Sequence, residues 1–144
     1  MAEGDIHVYQ VFKHLVMGGI FDLDTDTIKV ALLSGHTLDE DGDTVWGDVS
    51  TEEITDTSYT AKTLTGLSIT ASGTGTGTAV KGKWDAADVT WSSLTGTNPN
   101  YAIIYDDTPT APVDPLIAAV ELTTATNGGN YTIQWNANGI IRIS

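Results

Sequence analysis

The stretch of residues 84–106 constrains the fold most strongly, because it places two strand patterns close together. In residues 88–92 apolar and polar side chains alternate, with Val89 and Trp91 on one face, which is typical of a half-buried strand. Residues 101–105 are apolar nearly throughout, which suits a strand buried on both faces. Because turn-forming residues lie between them, the sequence predicts a hairpin-like unit at the middle of the core.

The first twenty residues carry a helical pattern. Asp5 is a suitable N-cap, and Gly18 with Gly19 is a suitable end, because glycine tolerates the left-handed conformation that follows many helices. Apolar residues at a spacing of three and four follow Asp5 and would share one face of the predicted helix: Ile6, Tyr9, Phe12, Leu15 and Val16.

Strand patterns recur along the rest of the chain, at residues 27–34, 59–71, 79–84, 116–122, 131–135 and 140–143. Within residues 59–71 the alternation slips at Gly66, which predicts a β-bulge at residues 65–66. Residues 44–46 predict a short strand and residues 48–54 one helical turn. The alternating glycines of residues 72–78 predict a hairpin loop.

These patterns predict a mainly β protein, a single-domain antiparallel β-sandwich of jelly-roll-like form with one short N-terminal α-helix. The prediction places one domain over residues 1–144. Residues 1–20 form its helical segment, and residues 21–144 form the β-sandwich with roughly eight strands.

The charge balance limits the partners that such a chain can have. Six basic residues stand against 19 acidic ones, which gives a formal net charge of −13. Such a surface repels nucleic acid and anionic membranes, but it could match a basic partner surface. We therefore expect neither a nucleic acid nor a membrane partner. The chain has no cysteine, no apolar run long enough for a transmembrane helix, and no secretory signal pattern at its N-terminus.

Two acidic clusters suggest cation sites, but each pattern is incomplete. Asp22, Asp24 and Asp26 have the spacing that opens a calcium loop, whereas Thr27 and Leu33 replace the glycine and the glutamate that such a loop needs. The second cluster lacks a closing ligand as well; its acids are Asp39, Glu40, Asp41 and Asp43. The sequence therefore favours solvated acidic loops and no metal site, with calcium at Asp22, Asp24 and Asp26 as the open alternative.

No pattern indicates an enzyme or a cofactor. His7 and His14 lie two turns apart on the predicted helix, too far to share an ion, and His36 has no second imidazole near it in sequence, so all three are interpreted as surface histidines. No serine lies in a nucleophile elbow, so no catalytic residue is predicted. Paired carboxylates for glycan hydrolysis stay open, because with 19 acids some pair will lie close.

The four tryptophans have two interpretations. They could form a platform that binds sugars, although core packing is the commoner use of tryptophan on alternating strands. The four are Trp46, Trp84, Trp91 and Trp135.

Several segments together resemble a known class of proteins. They are residues 24–33, 59–65, 84–94, 101–105, 115–118 and 132–140, with Trp46 and Asp48 in the acidic loop. Their order is similar to that in small structural proteins encoded in the virion gene blocks of tailed bacteriophages, and most similar to capsid decoration, or cementing, proteins. The resemblance covers nearly the whole chain. It implies no enzymatic activity and carries over no catalytic residues.

The resemblance implies a protein on the capsid exterior of a virion that clamps the major capsid protein and is itself a dimer or trimer. Loops and termini not needed for the core are the expected contacts. These contact residues are Tyr9, Phe12, Asp39, Asp41, Asp43, Pro109 and Pro112. The alternative is a tail, baseplate or fibre module that binds host glycans; an enzyme such as a glycan hydrolase ranks third.

Overall fold

The computed structural model describes residues 4–72 and 81–143, which form ten β-strands and three short helical segments. The strands are β1 (Ile6–Val8), β2 (Ile28–Leu33), β3 (Lys62–Thr63), β4 (Ser68–Ser72), β5 (Lys81–Asp85), β6 (Val89–Trp91), β7 (Tyr101–Asp106), β8 (Leu116–Glu121), β9 (Tyr131–Ile133) and β10 (Ile141–Ile143). The α-helices are α1 (Gln10–Met17) and α2 (Trp46–Val49), and a 3₁₀ turn follows at Ser50–Glu52. The protein is mainly β and its sheets are antiparallel, as the sequence predicts. The sandwich or jelly-roll arrangement stays a prediction.

A five-stranded sheet in the order β1-β8-β7-β2-β3 forms the centre of the protein. Strand β7 lies in the middle and pairs over its whole length with β2, from Leu33 opposite Tyr101 to Ile28 opposite Asp106. Strands β2, β7 and β8 are apolar at nearly every position because both faces of this sheet are buried.

One face of the five-stranded sheet packs against two smaller sheets, β10-β5-β4 and β6-β9. Alternate residues of β2, namely Ile28, Val30 and Leu32, point into this core, where they belong to one apolar cluster with Trp84 and Trp91. A register shift between Ile104 and Tyr105 places two successive residues of β8 in the same cluster.

The opposite face is covered by the N-terminal segment and by α2. Ala31, Leu33 and Ile103 form a second apolar cluster there with the buried Tyr9. Trp46, the first residue of α2, stacks on Tyr105 with the ring centres 4.7 Å apart and the planes 8° from parallel.

The N-terminal segment differs from the prediction. Ile6 does not begin a helix: it lies in β1, which pairs with β8, and α1 begins only at Gln10. Asp5 therefore does not cap the helix, and Tyr9 occupies the N-cap position without a side-chain hydrogen bond. The reason is that the edge of β8 offers backbone hydrogen bonds to residues 6–8, and the spacing of a few apolar residues cannot distinguish a strand followed by a helix from one longer helix.

Two predicted local pairings are also wrong. The strands β6 and β7 do not form a hairpin, because β6 pairs with β9 while β7 lies between β2 and β8. Residues 59–71 do not form one bulged strand, because β3 and β4 belong to different sheets. Gly66, with φ +62°, lies between them and lets the chain change direction.

The remaining local predictions have mixed outcomes. Val45 forms an isolated bridge and α2 begins at Trp46, so residues 44–46 are not a strand. The helical turn predicted within residues 48–54 is present in the form of α2 and the 3₁₀ turn. A hairpin loop is predicted at residues 72–78, and all of it except residue 72 lies outside the described residues.

The Tyr59 side chain bonds a backbone amide of β2 that lies beyond the short pairing of β2 with β3. Its hydroxyl accepts a hydrogen bond from the Leu32 amide at 2.9 Å and donates one to Glu53 at 2.7 Å. Burial raises the pKa of this phenol far above its usual range, so it stays neutral and can donate.

We expect Tyr59→Phe to lower the free energy of unfolding by about 1 to 3 kcal/mol, because the buried Leu32 amide loses its acceptor. Urea unfolding measures this difference. Tyr131→Phe is the matched control: the Tyr131 hydroxyl donates to the carbonyl of the exposed Thr124, which water can satisfy, so its cost should be smaller. Equal costs for the two variants would contradict the role given to Tyr59.

Candidate partner-binding surface

The acidic loop (residues 39–43) and the proline loop (residues 108–115) meet at one edge of the protein. The Trp46 amide donates to the Asp114 carbonyl at 2.8 Å, and the Leu116 amide donates to the Thr44 carbonyl at 3.0 Å. Val45 also forms a β-bridge with Pro115. The structure therefore joins the segment directly after the acidic loop to the end of the proline loop, and so brings near each other two loops that are about seventy residues apart in sequence and that the sequence predicts as contacts.

The acidic loop is shaped by its own first residue. Asp39 Oδ1 accepts hydrogen bonds from the Gly42 amide at 2.8 Å and the Asp41 amide at 3.3 Å. A Cβ atom on Gly42 would collide with the Asp39 carboxylate, so any other residue there would displace the side chain that shapes the turn. This turn leaves Asp39 and Asp41 exposed to solvent, while Asp43 is half-buried.

His36 is buried next to the last residue of the acidic loop, Asp43. Its side chain is 3% exposed, its Nδ1 is hydrogen-bonded to Glu52, and its Nε2 lies 4.0 Å from an Asp43 oxygen. Burial raises the pKa of Asp43, and the nearby His36 partly offsets this effect. The prediction that His36 lies at the surface is therefore wrong.

The other two histidines lie apart from each other. His7 is half-buried on β1, with Nδ1 2.9 Å from Glu40 and Nε2 3.3 Å from Glu121, so it links the acidic loop to the central sheet. His14 is exposed on α1, as predicted. The two histidines do not share the one helix on which the sequence pattern places them.

Two predicted contact residues face the protein's own core. Tyr9 is 0% exposed and Phe12 is 2% exposed, with the Phe12 ring 5.0 Å from the ring of Phe21. The Tyr9 hydroxyl has no hydrogen-bond partner among the described residues, and burial, followed by the charge of Asp43, raises its pKa far above the usual range. In this conformation Tyr9 supports the acidic loop and offers no surface to a partner.

The proline loop presents the remaining predicted contacts. Pro109 and Pro112 are half-buried, and a bridge between Thr110 and Val113 closes the loop. Val113 is 60% exposed, which makes it the most exposed large apolar side chain of this loop.

A buried carboxyl group lies beneath the proline loop. Asp106, the last residue of β7, is 0% exposed, and its Oδ1 accepts a hydrogen bond from the Thr108 amide at 3.0 Å. Burial raises its pKa from 3.8 to about 7, and the nearby Asp26 carboxyl contributes to this shift. Its Oδ2 is buried without a hydrogen-bond partner among the described residues, so we infer that Asp106 is protonated below about pH 7. Sequence reasoning missed Asp106, since a strand buried on both faces gives no alternation that reveals a buried acid.

The side chains of Asp22, Asp24 and Asp26 interact within their own turn. Asp26 Oδ2 accepts the Asp22 amide at 2.9 Å. A hydrogen bond from Thr25, followed by one from Asp24, lowers the pKa of Asp22, and the contact with Asp22 raises the pKa of Asp24. Among residues 4–72 and 81–143, no group of three or more histidine or carboxylate side chains is placed to hold a metal ion.

Three of the four tryptophans are core residues with satisfied indole groups. Trp84 donates to the Leu23 carbonyl at 2.8 Å, Trp91 to the Thr60 carbonyl at 2.7 Å, and Trp135 to the Ala87 carbonyl at 3.0 Å. Trp46 is half-buried in its stack on Tyr105. Core packing is thus the use that the structure gives these three indoles.

Comparison of the chain with protein-family models, with curated proteins and with solved structures finds no significant match. In the part of the chain that the structure describes, no helix is both long and apolar enough to cross a membrane.

We expect Asp106→Asn to flatten the pH dependence of stability. The folded-state pKa of Asp106 is raised, so the stability contributed by its proton is fully present below about pH 4 and is lost as the pH rises through about 7. Asparagine is neutral at every pH, so it does not bury the charge that Asp106 gains above its pKa. The variant should therefore exceed the wild type in free energy of unfolding by about 1 to 3 kcal/mol at about pH 8. Urea unfolding across this range measures the effect, with the exposed Asp41→Asn as control. Parallel profiles for Asp106→Asn and wild type would contradict the protonation of Asp106.

We expect calcium at about 1 mM to leave the melting temperature unchanged, because Asp22, Asp24 and Asp26 form hydrogen bonds within their own turn. Thermal unfolding with and without calcium checks this. A rise in melting temperature that Asp24→Asn abolishes would instead establish the calcium site.

Proposed function

We propose that this protein is a non-enzymatic virion protein of a tailed bacteriophage that binds the outside of the capsid and cements neighbouring major capsid protein subunits. The proposal rests on the resemblance described above and on one structural observation. Residues 44–46, which directly follow the acidic loop, are held to the end of the proline loop by backbone hydrogen bonds and a β-bridge. The two loops therefore lie at one edge of the protein, named here the acidic edge.

The acidic edge suits a basic partner surface. Asp39 and Asp41 are exposed and make no ion pair among the described residues, so their charges are free for a partner. Charge complementarity of this kind increases the association rate and selects against acidic partners. Pro109, Pro112 and Val113 of the proline loop add apolar surface to the same edge.

Cementing follows from mass action. A protein that binds the assembled shell more tightly than free subunits lowers the free energy of the assembled state. Many copies arranged by the symmetry of the shell multiply that effect, and a dimer or trimer of this chain would add avidity.

Co-sedimentation with expanded capsids that lack the protein tests the proposal. We expect saturable binding at a copy number set by the shell symmetry, and increased resistance of the shell to heat. Asp39→Asn/Asp41→Asn should weaken binding about tenfold and reduce its salt dependence, because two charges facing the partner are removed.

Asp24→Asn/Asp88→Asn is the matched control, since it removes two charges from exposed positions outside the acidic edge and should bind like the wild type. Absence of binding, together with recovery of the protein on purified tails, would overturn the proposal in favour of an attachment module.

A further inference from the structure

An open apolar groove lies between α1 and β10, away from the acidic loop. Val16 and Met17 of α1 form one wall, and Ile141 and Ile143 of β10 form the other, around a volume of about 310 Å³. A second hollow of about 230 Å³ adjoins it, lined by Phe21, Ile69 and Trp84 among others. The two share Phe12, Val16, Ile141 and Ile143, so they form one continuous feature, named here the apolar groove.

The groove gathers the exposed apolar side chains of the protein. In the described part of the chain, four large hydrophobic side chains are strongly exposed, and three of them line the groove: Met17 at 84%, Ile143 at 62% and Ile69 at 55%. The fourth, Val113, lies on the proline loop. Clustering of this kind marks an interaction site, because scattered single residues are the normal case on a surface.

The charge of the groove is opposite to that of the chain. The larger hollow is lined by two basic residues, Lys13 and Arg142, and by no acid, although the whole chain has six basic residues and 19 acidic ones. Neither Lys13 nor Arg142 forms an ion pair within the described ranges. The smaller hollow is lined by Asp22 and by Lys83, which is paired with Asp85 at 3.4 Å, so the free positive charge lies at the α1–β10 end of the groove.

The groove also has a backbone edge. In the sheet order β10-β5-β4, β10 pairs on one side only, so the other side of Ile141–Ile143 is unpaired by any described strand. An extended segment can add to such an edge through main-chain hydrogen bonds, while alternate side chains enter neighbouring pockets.

We propose that the apolar groove binds an extended segment of a partner protein that carries apolar side chains between carboxylates. The apolar side chains fill the space between α1 and β10, and the carboxylates pair with Lys13 and Arg142. A protein segment fits better than a lipid surface, because only a polypeptide can also pair with the unpaired edge of β10 through main-chain hydrogen bonds. This inference goes beyond the proposed function and does not depend on the capsid.

A synthetic peptide of alternating aspartate and leucine, about eight residues long and blocked at both ends, is the direct probe. Titration into the isolated protein, followed by NMR of the backbone amides, should show saturable binding with shifts centred on α1 and β10. A peptide with lysine in place of aspartate, and one with serine in place of leucine, should each bind at least about tenfold more weakly.

Two pairs of variants locate the site. Met17→Glu/Ile143→Glu adds negative charge to the exposed walls, and Lys13→Glu/Arg142→Glu reverses the free positive charges; each should lower the affinity at least about tenfold. Val113→Glu and Lys62→Glu are the matched controls outside the groove and should bind like the wild type. All four changed groove side chains are exposed, so the fold should survive, which circular dichroism verifies.

Several results would overturn the proposal: no binding of the aspartate–leucine peptide, equal binding of the lysine–leucine peptide, or undiminished binding by both groove variants. Two further results would also overturn the proposal, because they would assign the groove to a different occupant. One is an oligomer of the wild type that both groove variants convert to monomer, and the other is groove-dependent binding to phosphatidylcholine vesicles in place of the peptide.

Discussion

The structure depends on the pairing of β7 with both of its neighbours. Because β2 and β8 flank this strand and both faces of the sheet are covered, every residue of β7 except Asp106 contributes to one of two apolar clusters. The backbone amide and carbonyl groups of the strand would be costly to bury alone, and the two ladders satisfy them. The chain can therefore bury these apolar residues only if segments distant in sequence meet here.

The ends of β7 position the loops that surround the sheet. Just before the strand, Asn100 accepts the His36 amide at 3.1 Å and donates to the His36 carbonyl at 2.8 Å, which fixes the residue that supports the acidic loop. At the other end, Asp106 accepts the Thr108 amide, and the Thr108 hydroxyl accepts the Thr27 amide at 2.7 Å, which connects the proline loop to the turn that precedes β2. The acidic loop and the proline loop are thus both positioned by residues at the two ends of β7.

The sequence predicted elements better than it predicted their partners. Residues of β2, β7 and β8 form apolar runs between turn signals, so their existence follows from local pattern. The pairing of β6 with β9 joins residues about forty apart, and no local pattern encodes it. The burial of His36 was missed for a related reason: its hydrogen-bond partners Glu52 and Asn100 lie 16 and 64 residues away in the sequence.

Helix α1 connects the two surfaces that we propose as contacts. The Gln10 amide at its start donates to the Glu40 carbonyl in the acidic loop at 3.0 Å, and Met17 at its end forms a wall of the apolar groove. Eight helical residues span about 12 Å, so an acidic surface and a basic, apolar groove lie on one short rigid element. A protein that ties neighbouring subunits together needs two contact surfaces. If these surfaces have opposite charge, a partner that fits one does not fit the other. Each surface would therefore fix the orientation of the protein on its assembly.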